Sequence, residues 1–196
     1  MKAVRSGLAT RPLPAKALFT IGHSTRPLAE FLALLAAHGI RQVVDVRTIP
    51  RSRRNPQFER DALRAALRQA RIVYRHLPAL GGLRHPKKDS VNQGWRNASF
   101  RGFADYMATP EFAGGMGRLR QLAQRRPTAI MCAEAVPWRC HRSLIADALT
   151  VGKWQVRHIQ SRRTARPHEP TAFLRIRDGK LVYPLSPRAR GRAPAR

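Results

Sequence analysis

The segment from residue 132 to residue 142 holds the densest group of reactive side chains in the sequence: Cys132, Glu134, Cys140, His141 and Arg142. A short apolar run precedes it, so a predicted strand ends in a loop and the loop leads into a predicted helix. Amide groups and the dipole at a helix N-terminus attract anions, and the same setting lowers the pKa of a thiol. Cys132 or Cys140 could therefore be a thiolate nucleophile, and Arg142 could hold a phosphate or carboxylate with two hydrogen bonds.

The residue types and spacing of this segment also fit, or exclude, other kinds of site. Both cysteines could be small buried hydrophobic residues, and Glu134 could pair with an arginine or act as a general base. A phosphatase loop built on Cys132 would need an arginine at position 138, where the sequence has Trp. We predict no metal site, because Cys132, Cys140 and His141 are few ligands and two of them are adjacent. The chain lacks both glycine-rich phosphate-binding motifs, so neither a nucleoside triphosphatase nor an ordinary dinucleotide site is indicated, and the sequence does not specify a cofactor.

Polar residues also follow the other predicted strands. His23 and Ser24 follow the first, Asp45, Arg47 and Arg53 lie at or beyond the end of the second, and Gly81 and Gly82 follow the third. Ligands of an open parallel sheet bind beyond the carboxyl ends of its strands, so we expect one convergent site. The predicted catalytic residues are His23, Cys132, Glu134, Cys140 and His141. The predicted anion-binding residues are Ser24, Asp45, Arg47, Arg53, Gly81, Gly82 and Arg142.

Short apolar runs and helical periodicity alternate along the chain. The predicted strands are Ala17–Gly22, Gln42–Val46, Ile72–Leu77, Thr128–Cys132 and Gln155–Ile159. The predicted helices cover about 27–38, 57–70, 100–107, 110–124 and 137–149, and Ser24 or Thr25 could cap the first. This alternation predicts an α/β fold, a single three-layer domain with a mostly parallel five-stranded sheet. We expect the strand order 3-2-1-4-5.

Composition divides the chain into four predicted segments. Residues 1–16 form a flexible N-terminal arm, 17–160 the α/β domain, 161–183 a basic extension, and 184–196 a disordered Arg/Pro tail. In the extension, runs at 173–177 and 180–183 flank Asp178-Gly179, a strong signal for a hairpin turn. The polar stretch 81–97 is predicted to be an exposed loop or lid.

Charge is the unusual property of this 196-residue chain, which carries 38 Lys and Arg against 11 Asp and Glu. The resulting formal net charge of +27 predicts a polyanionic partner or many counterions. Two cysteines exclude a disulfide framework. No apolar run approaches the roughly 20 residues that span a bilayer, and no signal-peptide core develops. We therefore expect a cytoplasmic protein with no membrane partner and with reduced cysteines.

The motifs together resemble those of the domain of unknown function 488 family. The resemblance rests on Thr20-Ile-Gly-His-Ser-Thr25, Asp45-Val-Arg47 with Pro50, Ser52 and Arg53, Leu80-Gly81-Gly82, Cys132-Ala-Glu134 and Cys140-His141-Arg142. It covers about residues 17–160 and implies a single α/β domain with a polar site at the strand ends, but no established activity. The Gly-Tyr-Ser usual after the first strand is Gly22-His23-Ser24 here, so no role needing a phenol is expected.

Two functions fit these observations. The first is an enzyme-like site for a phosphate-bearing or other anionic substrate, such as a nucleotide or a nucleic-acid end. The second is a non-catalytic protein that binds nucleic acid without sequence preference, since the chain carries a large positive charge and no recognisable helix-turn-helix or zinc finger. A strongly basic surface can also bind polyanions without a biological purpose.

Overall fold

The computed structural model describes residues 16–185. The strands are β1 (Ala17–Gly22), β2 (Gln42–Asp45), β3 (Val73–His76), β4 (Thr128–Cys132), β5 (Gln155–Ile159), β6 (Ala165–Pro167), β7 (Arg175–Arg177) and β8 (Lys180–Val182). The helices are α1 (Leu28–Ala37), α2 (Arg60–Gln69), α3 (Ala98–Tyr106), α4 (Pro110–Arg125) and α5 (Arg142–Val151). Short 3₁₀ turns at Pro56–Phe58, Pro78–Leu80 and Pro137–Arg139 precede the site loops or the helices.

The main sheet is mixed, and its first five strands are parallel. Its order is β3-β2-β4-β1-β5-β6. The predicted α/β class and mostly parallel sheet are confirmed, but the predicted order 3-2-1-4-5 was wrong, because β4 lies between β1 and β2. The middle residues of β4, Ala129, Ile130 and Met131, are fully buried, as a central strand covered on both faces requires.

A sixth strand extends the sheet beyond the predicted five. β6 pairs antiparallel with β5, with Arg157 opposite Pro167 and Ile159 opposite Ala165. A proline is tolerated on such an edge strand, because one side of the strand makes no ladder hydrogen bonds. The short, arginine-containing segment carries no apolar alternation, which is why the sequence did not predict it.

Alternate residues of each strand enter two separate cores, and this produces three layers. Phe19, Val43 and Met131 pack with the apolar faces of α1 and α2. Their chain neighbours Leu18, Val44 and Ile130 pack with α3, α4 and α5. Because side chains alternate across a strand, the two sets lie on opposite faces of the sheet. The two helical layers thus fix the sheet and leave its carboxyl edge available for a site.

Two predicted helices begin later than the sequence indicated. The segment from position 137 starts as a 3₁₀ turn, becomes extended at Cys140 (φ −134°, ψ 143°), and only then enters α5. The segment from position 57 likewise begins with a 3₁₀ turn before α2. Neither Ser24 nor Thr25 caps α1, whose N-cap is Pro27 without a side-chain hydrogen bond.

The predicted hairpin of the extension is confirmed as β7 and β8, with Arg177 opposite Lys180. Its turn residues Asp178 and Gly179 have φ of 49° and 72°, as a type I′ turn requires. The predicted arm and tail lie outside the described residues, except for Lys16, Pro184 and Leu185. Within residues 16–185, no helix has the length and apolar character that a membrane crossing requires.

Candidate functional site

The loops after β1 and β4 are joined by backbone hydrogen bonds at the carboxyl edge of the sheet. Gly22 lies opposite Cys132, and the amides of His23 and Ser24 donate to the carbonyls of Cys132 and Ala133 at 3.0 and 2.8 Å. Ser24 adopts a left-handed conformation with φ of 49°. A Cβ at Gly22 would overlap the Glu134 carbonyl, so only glycine allows this close approach. These contacts bring the His23 and Cys132 loops together.

Two of the predicted site residues, Asp45 and Arg47, form an ion pair at the end of β2. The Arg47 Nη2 atom lies 2.6 Å from Asp45 Oδ2, and both side chains are buried. Tyr74 donates to the same Asp45 oxygen at 2.8 Å, and Arg47 also donates to the Phe58 carbonyl at 3.0 Å. Asp45 therefore neutralises Arg47 and orients it.

His23 is packed behind this ion pair. Its ring stacks on Phe58, with centroids 4.2 Å apart, and its Nε2 atom is 3.4 Å from Arg47 Nη1. Burial lowers the pKa of His23, while its hydrogen bond to the Ser24 carbonyl acts in the opposite direction. The residue is 2% exposed and does not line the cavity described below.

The two cysteines and His141 form a compact cluster in which each donor atom lies within 4.8 Å of the others. Cys140 Sγ is 3.7 Å from His141 Nδ1 and accepts a hydrogen bond from Arg142 Nε at 3.3 Å. The hydrogen bond with the Cys132 thiol lowers the pKa of Cys140 well below its ordinary value, and His141 and Arg142 add to this effect against burial. The same hydrogen bond, together with burial, raises the pKa of Cys132. Of the two sulfurs, Cys140 is therefore the one whose surroundings favour the thiolate form.

Backbone and glycine contacts orient His141 toward the sulfur. Its Nε2 atom is 3.2 Å from the Val46 carbonyl, and because a carbonyl only accepts, Nε2 carries the hydrogen. The ring also meets Phe103 edge to face, with centroids 5.0 Å apart. Gly82 lies so close to the ring that a Cβ there would overlap Nδ1. The Nδ1 atom is thereby held toward Cys140.

Arg142 lies behind the cysteines, with its side chain 1% exposed. Besides Cys140, its guanidinium donates to the Glu134 carbonyl and, at 3.3 Å, to the Thr20 hydroxyl. The sequence predicted a direct anion contact for this residue. The structure instead gives its donors partners within the protein.

A cavity of about 390 Å³ opens in front of the cluster. The predicted residues that line it are Arg47, Gly82, Cys132, Glu134, Cys140 and His141. Asp45, His23 and Arg142 support the lining residues from behind, and Gly81 packs against Thr48. Ser24 and the exposed Arg53 lie outside the lining. The sheet edge thus gathers half of the predicted set around one opening and places much of the rest next to it.

The cavity is also lined by residues outside the predicted site, although the sequence indicated the loop of Arg51 as a possible nucleic-acid contact. Arg51 and Arg139 are exposed at the lining, and Ser99 and Phe100 reach it from the start of α3. Arg51 belongs to the same basic loop as Arg53, and Arg139 precedes Cys140, so a signal for both was present in the sequence. Nothing in the sequence marked the two residues of α3, because they follow the long loop.

A buried hydrogen-bonded chain continues from Arg142 away from the cysteines. The Thr20 hydroxyl is 2.8 Å from His158 Nδ1, His158 Nε2 is 3.0 Å from His168 Nδ1, and His168 Nε2 is 2.8 Å from Asp147 Oδ1. Tyr183 and Thr171 also donate to Asp147. Burial and the neighbouring His168 lower the pKa of His158 to about 4. No sequence pattern indicates this chain of hydrogen bonds, since its members are far apart in sequence.

The donor set Cys132, Cys140 and His141 has the atom types that bind zinc, and its mutual distances allow a metal ion. The sequence suggested that the adjacent residues Cys140 and His141 would be strained as ligands of one metal ion. In the structure, however, Cys140 Sγ and His141 Nδ1 already lie 3.7 Å apart.

Comparison with known proteins identifies the family. No curated protein and no solved structure matches the chain significantly. The family described as Domain of unknown function DUF488 matches residues 27–149, which include β2 to β4, every residue that lines the cavity and eight of the ten residues of α5. The resemblance read from the motifs is thereby confirmed, and the chain belongs to the Domain of unknown function DUF488 family.

Proposed function

We propose that the cavity is the active site of an enzyme that binds an anionic group of its substrate and attacks the substrate with the Cys140 thiolate. The observation that carries the proposal is the pair of contacts on Cys140 Sγ, from Arg142 Nε at 3.3 Å and His141 Nδ1 at 3.7 Å. A thiolate, and not a thiol, is the nucleophilic form of cysteine. The Arg142 guanidinium beside the sulfur favours that form.

The charges at the cavity favour an anionic substrate. Arg51 and Arg139 are exposed at its lining, and among residues 16–185 neither has a carboxylate within ion-pair distance. Arg47 also lines the cavity, but Asp45 neutralises its charge. Glu134 is the single acidic residue of the lining. Guanidinium groups bind phosphate and carboxylate with paired hydrogen bonds, so Arg51 and Arg139 are the proposed anion ligands.

The remaining residues supply the proton transfers of a two-step displacement. Cys140 forms a bond to the electrophilic atom of the substrate, and the leaving group departs with a proton from the His141 imidazolium. Glu134, exposed at the cavity lining, then removes a proton from water. The resulting hydroxide displaces Cys140 and restores the thiolate, and the proton on Glu134 returns to His141 through solvent, so that all three residues regain their starting state.

Anion binding is tested by thermal shift and calorimetric titration with inorganic phosphate and nucleoside monophosphates. Arg51→Ala with Arg139→Ala should abolish the stabilisation by these probes. Arg64→Ala with Arg118→Ala removes the same charge from exposed positions on α2 and α4 and should retain it. Equal loss in both double variants, or binding unchanged in the first, would reject the anion site.

The unpaired positive charge of the described residues supports a second candidate, sequence-independent binding of nucleic acid. Although the net charge is +27, residues 16–185 contain only two arginine–carboxylate ion pairs, Arg26–Glu30 and Arg47–Asp45. Filter binding to DNA and RNA at two salt concentrations tests this candidate. The observed affinity should fall steeply with salt, because bound phosphates release counterions. Absent or salt-independent binding would reject it.

A further inference from the structure

We propose that Cys140 and Cys132 together reduce small hydroperoxides and form a reversible disulfide that switches off the proposed active site. The proposal rests on the proposed function for the switched activity, but the redox chemistry stands on the cysteine pair itself. The two sulfur atoms lie within 4.8 Å of each other, and both side chains line the same cavity.

The pair is close enough to form a disulfide with a small local movement. A disulfide bond joins sulfurs about 2 Å apart, so the two atoms must approach by less than about 3 Å. Cys132 is the last residue of β4, and Ala133 and Glu134 after it are exposed. Cys140 lies in an extended position between the 3₁₀ turn and α5. Both cysteines therefore lie at chain positions outside helix interiors, where the backbone can adjust.

The contacts of the two sulfurs assign different roles to the cysteines. Arg142 Nε and His141 Nδ1 both lie against Cys140 Sγ. The Arg142 hydrogen bond favours negative charge on this sulfur, and water entering the open cavity can supply the proton to a departing oxygen. Cys132 is more exposed than Cys140, which is 4% exposed. Cys140 is thus the attacking sulfur, and Cys132 is the resolving one.

The chemistry balances with a hydroperoxide as oxidant and a dithiol as reductant. The Cys140 thiolate attacks one peroxide oxygen, the O–O bond breaks, and the alkoxide or hydroxide leaves after it receives a proton. Cys140 is then a sulfenic acid. The Cys132 sulfur attacks it, an S–S bond forms, and the hydroxyl group leaves as water with the Cys132 proton. An external dithiol returns both cysteines to their starting state. While the disulfide persists, Cys140 cannot attack the anionic substrate.

The test uses the full chain, reduced and treated with a chelator, then exposed to one equivalent of hydrogen peroxide. Intact mass should show the loss of two hydrogens, and peptide mapping should show Cys132 joined to Cys140. Cys132→Ser should stop at a sulfenic acid that dimedone captures on Cys140. Cys140→Ser should consume peroxide at least about tenfold more slowly than the wild type, since it lacks the stabilised thiolate.

Two results would overturn the proposal. One is oxidation of Cys140→Ser as fast as the wild type, and the other is a stoichiometric metal ion retained on both cysteines after purification. Phosphate binding, followed by thermal shift in Cys132→Ser, separates this proposal from the proposed function. If peroxide leaves both thiols reduced while phosphate still binds, the redox proposal alone fails.

Discussion

The Nε atom of Arg142 donates a hydrogen bond to the Sγ atom of Cys140 at 3.3 Å, with the arginine side chain almost completely buried. A buried guanidinium needs a negative partner or many acceptors, and here it has a sulfur, a hydroxyl and a backbone carbonyl. Arg142 thus supports the thiolate and also fixes the loop that carries Glu134. We expect it to affect the substrate through Cys140, as a positioning residue.

Replacing Arg142 should change the titration of Cys140. In the wild type the thiolate is favoured, so the rate of alkylation by iodoacetamide should stay high as pH falls below the ordinary pKa of cysteine. Arg142→Gln removes the positive charge and should move the midpoint of this rate profile to higher pH. At pH values below the wild-type midpoint the alkylation rate should fall by about tenfold for each unit that the pKa rises, because the thiolate fraction changes there by that factor.

Cys140→Ser gives the background from Cys132 in the same assay, and circular dichroism confirms that Arg142→Gln is folded. An unchanged midpoint in a folded variant would contradict the assigned role of Arg142.

Removing the Asp45 carboxylate should destabilise the protein far more than removing the Tyr74 hydroxyl that donates a hydrogen bond to it. Asp45→Ala leaves Arg47 buried without a counter-charge, which costs about 3–5 kcal/mol. Tyr74→Phe deletes one hydrogen bond to the same carboxylate and should cost about 1 kcal/mol. Urea unfolding measures both free energies. Similar losses in the two variants would show that the ion pair is not the main contribution.

Adding one methyl group at Gly82 should disturb the site without a general loss of stability. A Cβ at Gly82 would overlap the His141 ring, which Phe103 and the Val46 carbonyl hold in place. Gly82→Ala should therefore slow alkylation of Cys140. The matched control is Gly114→Ala in α4, where a Cβ meets no atom within 4 Å and should stabilise the helix by about 0.5–1 kcal/mol. Identical reactivity in both variants would argue against the His141 contact.

Stability should fall as the solution becomes acidic, and His158 should account for part of this loss. Its pKa is about 4 in the folded protein and 6.5 in the unfolded chain. Between these values the unfolded chain binds the proton and the folded protein does not, so the free energy of unfolding decreases from pH 6.5 toward pH 4. Thermal melting of His158→Gln should show a smaller drop in Tm between pH 7 and pH 5.

His85→Gln, at an exposed position, is the control for this experiment. A drop in Tm that is as large in His158→Gln as in the wild type would show that the buried chain to Asp147 does not set the acid sensitivity.

The sequence predicts which side chains lie close together better than it predicts the order of the strands. The carboxyl ends of parallel strands meet at one edge whatever their order, so Arg47, Cys132 and His141 could be placed together from strand positions alone. The order depends on which strands become central, and both β1 and β4 are apolar enough for that place. Their sequences therefore did not distinguish the two arrangements.

The sequence also does not predict which side chains of the site are buried. Arg142 was predicted at a helix N-terminus open to anions, and it does begin α5. The extended residue Cys140 and the preceding 3₁₀ turn direct the chain so that the guanidinium lies beneath the Glu134 loop. Such a turn depends on contacts between distant segments, which periodicity does not report.

Protection of Cys140 by an anion tests the central claim most directly. The rate of Cys140 alkylation by iodoacetamide, a neutral reagent, is measured with and without inorganic phosphate at constant ionic strength. We predict that phosphate slows the reaction in the wild type and in the Arg64→Ala, Arg118→Ala control, but not in Arg51→Ala with Arg139→Ala. Alkylation that phosphate leaves unchanged in the wild type, or slows equally in all three proteins, would contradict an anion site in front of the thiolate.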